Sequence, residues 1–270
     1  MNLVKKIFLK KIDRLLISKK VMKLFFLYHY LKGGFKSKTI NVSFENKKSR
    51  LEIVQNIIDV KRFNYYLEIG TFKDDLFKHV KCKKKIGVDP VSGGNIRKTS
   101  DEFFLDNKET FDLIFIDGLH HYNQVKKDIN NSLKVLNKNG IILMHDCLPR
   151  NYYYQAVPRS QLNWNGDTWK SFLEVRGNSN YDAYCCYADQ GIGVILKRDN
   201  RNILELENKN ILKLEYNDLA DNYKKYLNLV EFEELLEIIK DKPFPIAWKN
   251  LFGKEYLKLS ESLLGEYKIR

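Results

Sequence analysis

The stretch FDLIFIDGLHHYNQVKKDI, residues 111–129, decides the fold class of this chain. It opens with a nearly continuous apolar run, which is typical of a strand buried on both faces of a parallel sheet. A polar turn with Asp117 and two histidines follows, and then Tyr122, Val125 and Ile129 recur at helical spacing. The stretch therefore predicts a strand, a turn that carries chemical groups, and an amphipathic helix, as in α/β proteins.

The same alternation of strands and helices extends on both sides of this stretch. The remaining pattern predicts strands at residues 65–69, 85–88 and 140–144, helices at residues 49–60, 76–80, 121–136 and 168–175, and a helix or turn at residues 100–105. Two further runs, 181–187 and 192–196, lie too close in sequence for a crossover helix and are expected to form an antiparallel hairpin. We therefore predict a doubly wound, mostly parallel α/β sheet that finishes in an antiparallel hairpin.

Helical patterns flank this predicted core. Residues 1–48 form a basic extension, in which residues 1–31 have the spacing of an amphipathic helix. Residues 49–200 form the core domain. Residues 201–270 form a charged helical C-terminal extension, with residues 229–239 as its clearest helix and little sign of a separate core.

The positive charge of the chain is concentrated in the N-terminal extension. The 270 residues carry 47 Lys and Arg against 34 Asp and Glu, a net charge of +13. Residues 1–40 hold eleven basic residues and one acid, which gives +10 of the +13. The core is thus nearly charge-balanced, which argues against a nucleic-acid-binding protein. We expect this extension to pack on the core, to contact another subunit of a homo-oligomer, or to attach to an anionic membrane surface.

Several features favour a reduced, cytoplasmic location, with membrane-peripheral attachment as the alternative. Residues 24–31 form the longest charge-free apolar stretch near the start, far short of the ~20 residues of a membrane-spanning helix. Basic residues interrupt every candidate signal-peptide core. The four cysteines show no CxxC spacing.

Polar residues follow four of the predicted strands, at the sheet edge where α/β proteins bind ligands. These strand ends read LEIGT, GVDP, IDGLHH and LMHDC, at residues 67–71, 87–90, 116–121 and 143–147. Gly70 allows a ligand to approach the backbone, and Asp89, about 20 residues further on, is placed to accept hydrogen bonds from ribose hydroxyls. The pair predicts a nucleoside-containing ligand.

The first strand end favours S-adenosylmethionine over NAD. A dinucleotide site uses G-x-G-x-x-G, whereas here the single Gly70 is followed by Thr71 and by Asp74 in place of a second glycine. The acids Glu68 and Asp74 would repel a pyrophosphate but suit a cationic ligand with an amino-acid tail. A nucleotide-binding oxidoreductase of Rossmann type stays as the alternative class.

The four motifs together resemble the class I S-adenosylmethionine-dependent methyltransferases, and most closely the metal-dependent O-methyltransferases that act on sugars. The resemblance covers residues 64–197. It implies a Rossmann-like seven-stranded sheet and methylation of a hydroxyl on a nucleotide-sugar or a surface-polysaccharide precursor. A phosphate-type acceptor and a non-catalytic carbohydrate- or membrane-binding protein are the alternatives.

The resemblance also implies a role for each motif residue. It makes Asp117 and Asp146 metal ligands, with His145 or a water as the third ligand. It makes His120 the general base beside Asp117, with His121 as the alternative base. The cofactor-binding residues that it implies are Glu68, Gly70, Thr71, Asp89, Ser100, Asp101 and Asp117.

These residue types suit methyl transfer to an alcohol. A divalent cation lowers the pKa of a bound hydroxyl, and carboxylate ligands suit Mg²⁺, whereas a histidine ligand shifts the preference toward Mn²⁺ or Fe²⁺. An imidazole, with an unperturbed pKa of about 6.5, can accept the proton.

An aromatic segment follows the fourth strand end. It includes Tyr152–Tyr154 and the stretch WNGDTWK, residues 164–170. We expect either a lid over the acceptor, in which Arg159 and Lys170 hold a phosphate, or a surface loop with aromatic packing.

Overall fold

A seven-stranded sheet forms the centre of the structure, because the apolar runs of the sequence pair side by side. The computed structural model describes residues 18–206 and 210–240. Its strands are β1 Tyr65–Ile69, β2 Lys84–Val88, β3 Phe111–Ile116, β4 Leu136–Met144, β5 Asp182–Cys186, β6 Ile192–Leu196 and β7 Leu229–Val230. Their order in the sheet is β2-β1-β3-β4-β6-β5-β7.

Helices cover the two faces of this sheet. The described helices are α1 Lys19–Leu31, α2 Arg50–Lys61, α3 Ser100–Asp106, α4 Tyr122–Val135, α5 Tyr152–Gln155, α6 Thr168–Arg176, α7 Tyr216–Leu227 and α8 Phe232–Ile239. Short 3₁₀ turns lie at Gly34–Lys36 and Ile211–Lys213. The division between two units of the chain falls between Leu235 and Leu236, and the second unit is described only over residues 236–240.

The sheet topology confirms the predicted fold class. Strands β2, β1, β3 and β4 are parallel neighbours, and β6 runs antiparallel between β4 and β5. Strand β3 is buried on both faces, as its apolar sequence predicts. The apolar stripe Val125, Ile129 and Leu133 of α4 packs into the same core.

The structure corrects two local predictions. Residues 76–80 form hydrogen-bonded turns instead of a helix, because a segment of five residues is too short to offset the cost of helix nucleation. Leu229–Val230, predicted as the start of a helix, forms β7 and pairs with Cys185 and Cys186 of β5. That pairing supplies the seventh strand of the sheet.

Several predictions concern residues outside the described parts. The predicted N-terminal helix is described only from Lys19, and residues 1–17 and 241–270 lie outside the described residues. Within the described part of the chain, no helix is long and apolar enough to cross a membrane.

Candidate functional site

The candidate functional residues of three strand ends meet at the carboxyl edge of the sheet. Asp117 directly follows β3, and His145 and Asp146 directly follow β4. Because β1, β3 and β4 are adjacent parallel strands, their carboxyl ends lie side by side. The structure therefore brings together the predicted residues of three strand ends.

Two acids and two histidines form a contact cluster at this edge. The His120 ring lies between the acids, with Nδ1 3.0 Å from Oδ2 of Asp146 and Nε2 3.2 Å from Oδ1 of Asp117. Nδ1 of His145 lies 3.3 Å from Oδ1 of Asp117 and 3.4 Å from Oδ2 of Asp146. Ligand atoms of Asp117, His120 and Asp146 lie within 4.8 Å of one another, a separation that can hold a metal ion. We call Asp117, His120, His145 and Asp146 the acid–histidine cluster.

Attraction between opposite charges in this cluster outweighs the cost of burying them. Burial disfavours an imidazolium, but Asp146 and Asp117 outweigh it and raise the pKa of His120 to about 10. The same two acids raise the pKa of His145 well above its usual value. Burial opposes ionisation of Asp146 too, yet the two histidines lower its pKa to about 2, and they depress the pKa of Asp117 as well. Both carboxylates are therefore ionised at neutral pH.

Backbone conformation fixes the position of the two acids. Asp146 adopts a left-handed conformation with φ of 66°, which is uncommon for a residue other than glycine and is often found at functional sites. Gly70, with φ of 88°, packs directly against Asp117, and a Cβ at this position would collide with the Asp117 carbonyl oxygen. Gly70 is thus required for the close approach of the β1 and β3 ends.

Two charged residues that sequence reasoning missed contact the acid–histidine cluster. Arg50, the first residue of α2, donates from Nη1 to Oδ2 of Asp117 at 2.7 Å and from its backbone N–H to Oδ2 of Asp189 at 2.9 Å. Oδ1 of Asp189, in the turn between β5 and β6, lies 3.3 Å from Nε2 of His145. The capping box of Ser49 and Glu52, which is legible in the sequence, starts α2 at Arg50 but does not show what Arg50 contacts.

The WNGD stretch, residues 164–167, contacts the cluster at His120 and Asp146. Nδ1 of His120 lies 3.0 Å from the Trp164 carbonyl oxygen, and the two rings stack at 5.5 Å. Asn165 donates from Nδ2 to Oδ1 of Asp146 at 2.8 Å. Gly166 has φ of 62°, and a Cβ there would collide with the His120 carbonyl oxygen. The stretch therefore positions His120 and Asp146.

The fourth residue of this stretch, Asp167, caps the N-terminus of α4. Oδ1 of Asp167 accepts a hydrogen bond from the backbone N–H of Tyr122, the first residue of α4, at 2.7 Å. His121 occupies the N-cap position of α4, where burial lowers its pKa. Among the described contacts, His121 reaches Trp164 but none of the carboxylates of the cluster. The geometry therefore favours His120 over His121 as the base.

Asp89 orders the loops around the predicted nucleoside site. Its Oδ1 accepts from the backbone N–H groups of Val91 and Ser92 at 2.7 and 2.8 Å, and its Oδ2 accepts from that of Phe72 at 3.0 Å. These three backbone N–H groups use most of the roughly four acceptor positions of the carboxylate, and Nη1 of Arg97 lies 3.8 Å from Oδ1. Thr71 is buried beside this loop, with Oγ1 3.5 Å from the Ser92 carbonyl oxygen.

Asp74 takes over the position where a second glycine was expected. Its backbone is left-handed, with φ of 66°, and its Oδ1 accepts from the Gly94 N–H at 2.6 Å. Aspartate tolerates this conformation better than most residues. The departure from the family motif is therefore accommodated by the loop itself.

Ser100 and Asp101 lie at the start of α3, where they face α4. Gln124 donates from Nε2 to Oγ of Ser100 at 3.2 Å, to Oδ1 of Asp101 at 3.0 Å and to Oδ1 of Asp128 at 3.1 Å. Asp128 is buried, and its Oδ2 has no hydrogen-bond partner among the residues that the structure describes. The described hydrogen bonds of this group do not extend to the acid–histidine cluster.

Glu68 is a buried carboxyl at the end of β1. Only 2% of the residue is exposed, and its Oε2 accepts from the Tyr66 hydroxyl at 2.6 Å. Burial is the largest influence and raises the pKa of Glu68 to about 8; Asp117 raises it too, while Tyr66 and Arg50 lower it. A cationic ligand beside Glu68 would therefore stabilise its ionised form.

We expect Glu68→Gln to stabilise the ligand-free protein at alkaline pH. Because the pKa of Glu68 is about 8 when folded and about 4.3 when unfolded, its contribution to stability decreases as the pH rises from about 4 to about 8. The variant lacks this decrease and should exceed the parent protein by roughly 2–4 kcal/mol at pH 8.5 but by little at pH 5. Urea unfolding at both pH values measures the difference. The exposed Glu109→Gln serves as control, and equal pH dependence of Glu68→Gln and the parent would contradict the assignment.

Comparison with known proteins relates part of this chain to methyltransferases. Residues 83–147 match a family model described as a methyltransferase domain. Uncharacterized protein R132 of Acanthamoeba polyphaga mimivirus is 27% identical over 161 residues, which cover 48% of this chain and 70% of that protein.

Two solved structures illustrate the structural similarity. The O-methyltransferase TomG from Streptomyces achromogenes, in complex with SAM, is 12% identical over 59% of this chain and 82% of that chain, with a TM-score of 0.42. An O-methyltransferase from Bacillus cereus, in complex with SAH, is 14% identical over 70% of this chain and 96% of that chain, with a TM-score of 0.41.

The family match includes the whole acid–histidine cluster and most of the parallel sheet. Residues 83–147 are therefore similar in sequence to a methyltransferase domain. This similarity agrees with the methyltransferase resemblance of the strand-end motifs and favours it over the oxidoreductase alternative.

Proposed function

We propose that this chain is a metal-dependent O-methyltransferase that transfers the methyl group of S-adenosylmethionine to a hydroxyl of a sugar, in a nucleotide-sugar or a polysaccharide precursor. The observation that carries the proposal is the cluster of Asp117, His120 and Asp146 at the ligand-binding edge of a methyltransferase domain. N-terminal to the cluster, Glu68 and Gly70 occupy the end of β1, where the cofactor would bind.

The donor set fits a divalent cation. Asp117 and Asp146 supply ionised carboxylates, and a neighbouring imidazole completes a mixed oxygen and nitrogen set that suits Mn²⁺ or Fe²⁺ as well as Mg²⁺. When bound, the cation would lower the pKa of the acceptor hydroxyl. The hydrogen bond from Asn165 to Oδ1 of Asp146 leaves Oδ2 directed at the histidines.

The two histidines divide the remaining roles. His145 is the proposed third ligand, because Nδ1 contacts both carboxylates while Asp189 holds the opposite nitrogen. His120 is the proposed base, which accepts the proton of the acceptor hydroxyl at a ring nitrogen. A cation on Asp117 and Asp146 would compete with the proton that these acids hold on His120, which would leave the imidazole neutral.

The cofactor would bind through both charges of its amino-acid end. Its ammonium group suits Glu68 and Asp117, and its carboxylate suits Arg50, which contacts Asp117 directly. The pKa of Arg50 is raised by Asp117 and Asp189 in spite of burial, so the guanidinium keeps its charge there. Asp89 is the proposed ribose-binding residue. Ser100 and Asp101 are the proposed residues on the adenine side.

The surroundings of His120 support a sugar acceptor. The half-buried Trp164 ring stacks on His120 and places an aromatic group beside the base, with the Arg159 guanidinium carbon 5.5 Å from its centroid. Small-molecule sites are commonly lined by aromatic side chains with a few polar groups among them. Arg159 donates to the carbonyl oxygens of Gln161 and Leu162, and Lys170 donates to that of Leu212. These contacts give no support to a phosphate-binding role for Arg159 and Lys170.

Binding and turnover measurements test the proposal in sequence. Calorimetry with S-adenosylhomocysteine should show saturable binding to the folded protein. A screen of nucleotide-sugars with mass detection should then show a product heavier by one methyl group, with Mn²⁺ or Mg²⁺ required. An absence of binding would refute the cofactor assignment, and full turnover after EDTA treatment would refute the metal.

We expect Arg50→Met to lower the affinity for S-adenosylhomocysteine roughly 10- to 100-fold, because a hydrogen bond to a charged group contributes about 1.5–3 kcal/mol. Lys48→Met is the matched control, since Lys48 lies two residues away and pairs only with Glu52 at the surface. Calorimetry compares the three proteins. Equal affinities for the parent protein and Arg50→Met would place the cofactor carboxylate elsewhere.

A further inference from the structure

Helix α1 carries an apolar stripe that faces away from the protein. Leu24, Leu27, Tyr28 and Leu31 recur at the i, i+3, i+4, i+7 spacing of one helix face. Their exposed fractions are 66%, 53%, 47% and 74%. We call these four residues the α1 stripe. A surface helix normally turns such a face toward the core, so the α1 stripe requires a different explanation.

The opposite face of α1 already packs on the protein. Met22 and His29 are buried, and Nε2 of His29 lies 2.7 Å from the Pro158 carbonyl oxygen. Phe26 stacks on Tyr153 with ring centroids 4.5 Å apart. These contacts fix the rotation of the helix about its axis. The stripe therefore cannot turn inward without breaking them.

Exposed apolar side chains are concentrated in this part of the described chain. Seven of the fifteen exposed large hydrophobic residues lie within residues 24–35. Phe35, which is 53% exposed, extends the surface beyond the end of α1. A cluster of exposed apolar side chains on a protein surface marks an interaction site.

The segment that carries the stripe contains only basic charges. Residues 18–44 contain six lysines and no acid: Lys19, Lys20, Lys23, Lys32, Lys36 and Lys38. Lys20, Lys23 and Lys32 are exposed within or directly after α1, next to the stripe. Lys38, further along, pairs with Asp221. An apolar stripe with flanking lysines is complementary to a partner that has an apolar interior beneath a negatively charged surface layer.

We propose that the α1 stripe and its lysines dock on the surface of an anionic lipid bilayer. The helix would lie in the interface, with its leucines at the boundary of the acyl chains and its lysines at the level of the phosphates. Tyr28 suits the same depth, because tyrosine is enriched at membrane interfaces. A second copy of the chain fits less well, since a symmetric contact would bring two sets of lysines together.

The position of α1 connects this surface to the active site. Helix α1 packs on Tyr152, Tyr153 and Pro158, which follow the strand end of His145 and Asp146. Docking would therefore bring the aromatic segment beside the site close to the lipid headgroups. The inference does not depend on the proposed function, because docking is measured without any enzymatic reaction.

Flotation of the full chain with vesicles tests the proposal. The vesicles are phosphatidylcholine alone, or phosphatidylcholine and phosphatidylglycerol in equal parts. We expect binding to the second kind only. The double variant Leu27→Ser, Leu31→Ser should bind more than about tenfold more weakly, because two leucines lose their burial in lipid. The matched control is Leu105→Ser, Leu162→Ser, which alters two leucines that are 85% and 59% exposed elsewhere.

A variant that removes two lysine charges measures the electrostatic contribution to vesicle binding. Lys20→Gln, Lys23→Gln should weaken binding to the anionic vesicles by roughly thirty-fold, and added salt should reduce that difference. Lys83→Gln, Lys138→Gln is its control, since both lysines are exposed outside this region.

Three results would overturn the proposal. The first is no binding to anionic vesicles, and the second is binding that the leucine variant retains in full, which would assign it to another part of the chain. The third is a dimer in light scattering that the leucine variant dissociates while vesicle binding stays unchanged. That last result would assign the α1 stripe to a second copy.

Discussion

His120→Ala is expected to slow methyl transfer roughly 10²- to 10⁴-fold, the usual contribution of a general base. The ring of His120 contacts carboxylates of Asp117 and Asp146 and is held by the Trp164 carbonyl, so its orientation is fixed before any ligand binds. The affinity for S-adenosylhomocysteine should change by less than about threefold, because the proposed cofactor contacts do not involve His120. Single-turnover kinetics with the acceptor found by the screen, together with calorimetry, measure both quantities.

His121→Ala is the matched control for this variant. The two histidines are adjacent in sequence, but the described contacts of His121 include no carboxylate of the cluster. We expect His121→Ala to keep turnover near that of the parent protein. Added imidazole should partly restore His120→Ala if the lost group is a base. Normal turnover of His120→Ala, or a loss confined to His121→Ala, would move the base away from His120.

The sequence predicted the strand-end part of the site because that part follows from local patterns and one topological rule. Apolar runs mark the strands, and the carboxyl ends of neighbouring parallel strands meet at one edge. Asp117, His120 and Asp146 each directly follow such a run or lie within its turn. Their proximity therefore needs no information about distant parts of the chain.

Other site residues depend on tertiary packing that no local pattern specifies. Arg50 reaches Asp117 from 67 residues away, and Trp164 reaches His120 from 44 residues away. In sequence, Arg50 resembles any surface cation at the start of a helix, and Asp189 resembles any polar turn residue. Their roles become visible only when α2 and the β5–β6 turn pack over the sheet edge.

The WNGD stretch shows how far sequence reasoning can be extended. Its aromatic and polar composition supported either a lid or a packed loop, and the structure shows a third arrangement. Asn165 hydrogen-bonds to Asp146, and the Trp164 carbonyl oxygen contacts His120. Asp167 caps α4. The short strand β7 was missed for a related reason, since two residues are too few to show a period.

Asp146→Asn is expected to weaken Mn²⁺ binding by more than about a hundredfold. The substitution removes one of two carboxylates from the proposed ligand set but keeps the shape of the side chain. Asparagine also tolerates the left-handed backbone of residue 146, so the fold should persist. Titration of Mn²⁺ followed by electron paramagnetic resonance, without cofactor or acceptor, measures metal affinity independently of turnover.

Asn165→Ala should weaken Mn²⁺ binding by an intermediate amount, about 10- to 100-fold, as is typical when the partner of a metal ligand is removed. The side chain of Asn165 is buried and donates to Oδ1 of Asp146, so its loss frees that carboxylate to rotate away from the histidines. Asp106→Asn, which alters an exposed acid paired with Lys98, should leave Mn²⁺ affinity unchanged. The expected loss of Mn²⁺ affinity is therefore largest for Asp146→Asn, intermediate for Asn165→Ala and absent for Asp106→Asn. This order does not follow charge, because Asn165 is uncharged and Asp106 is an acid. Equal affinity in all three would show that Asp117, His120 and Asp146 form a structural ion-pair network, and catalysis would then have to proceed without a metal at this edge of the sheet.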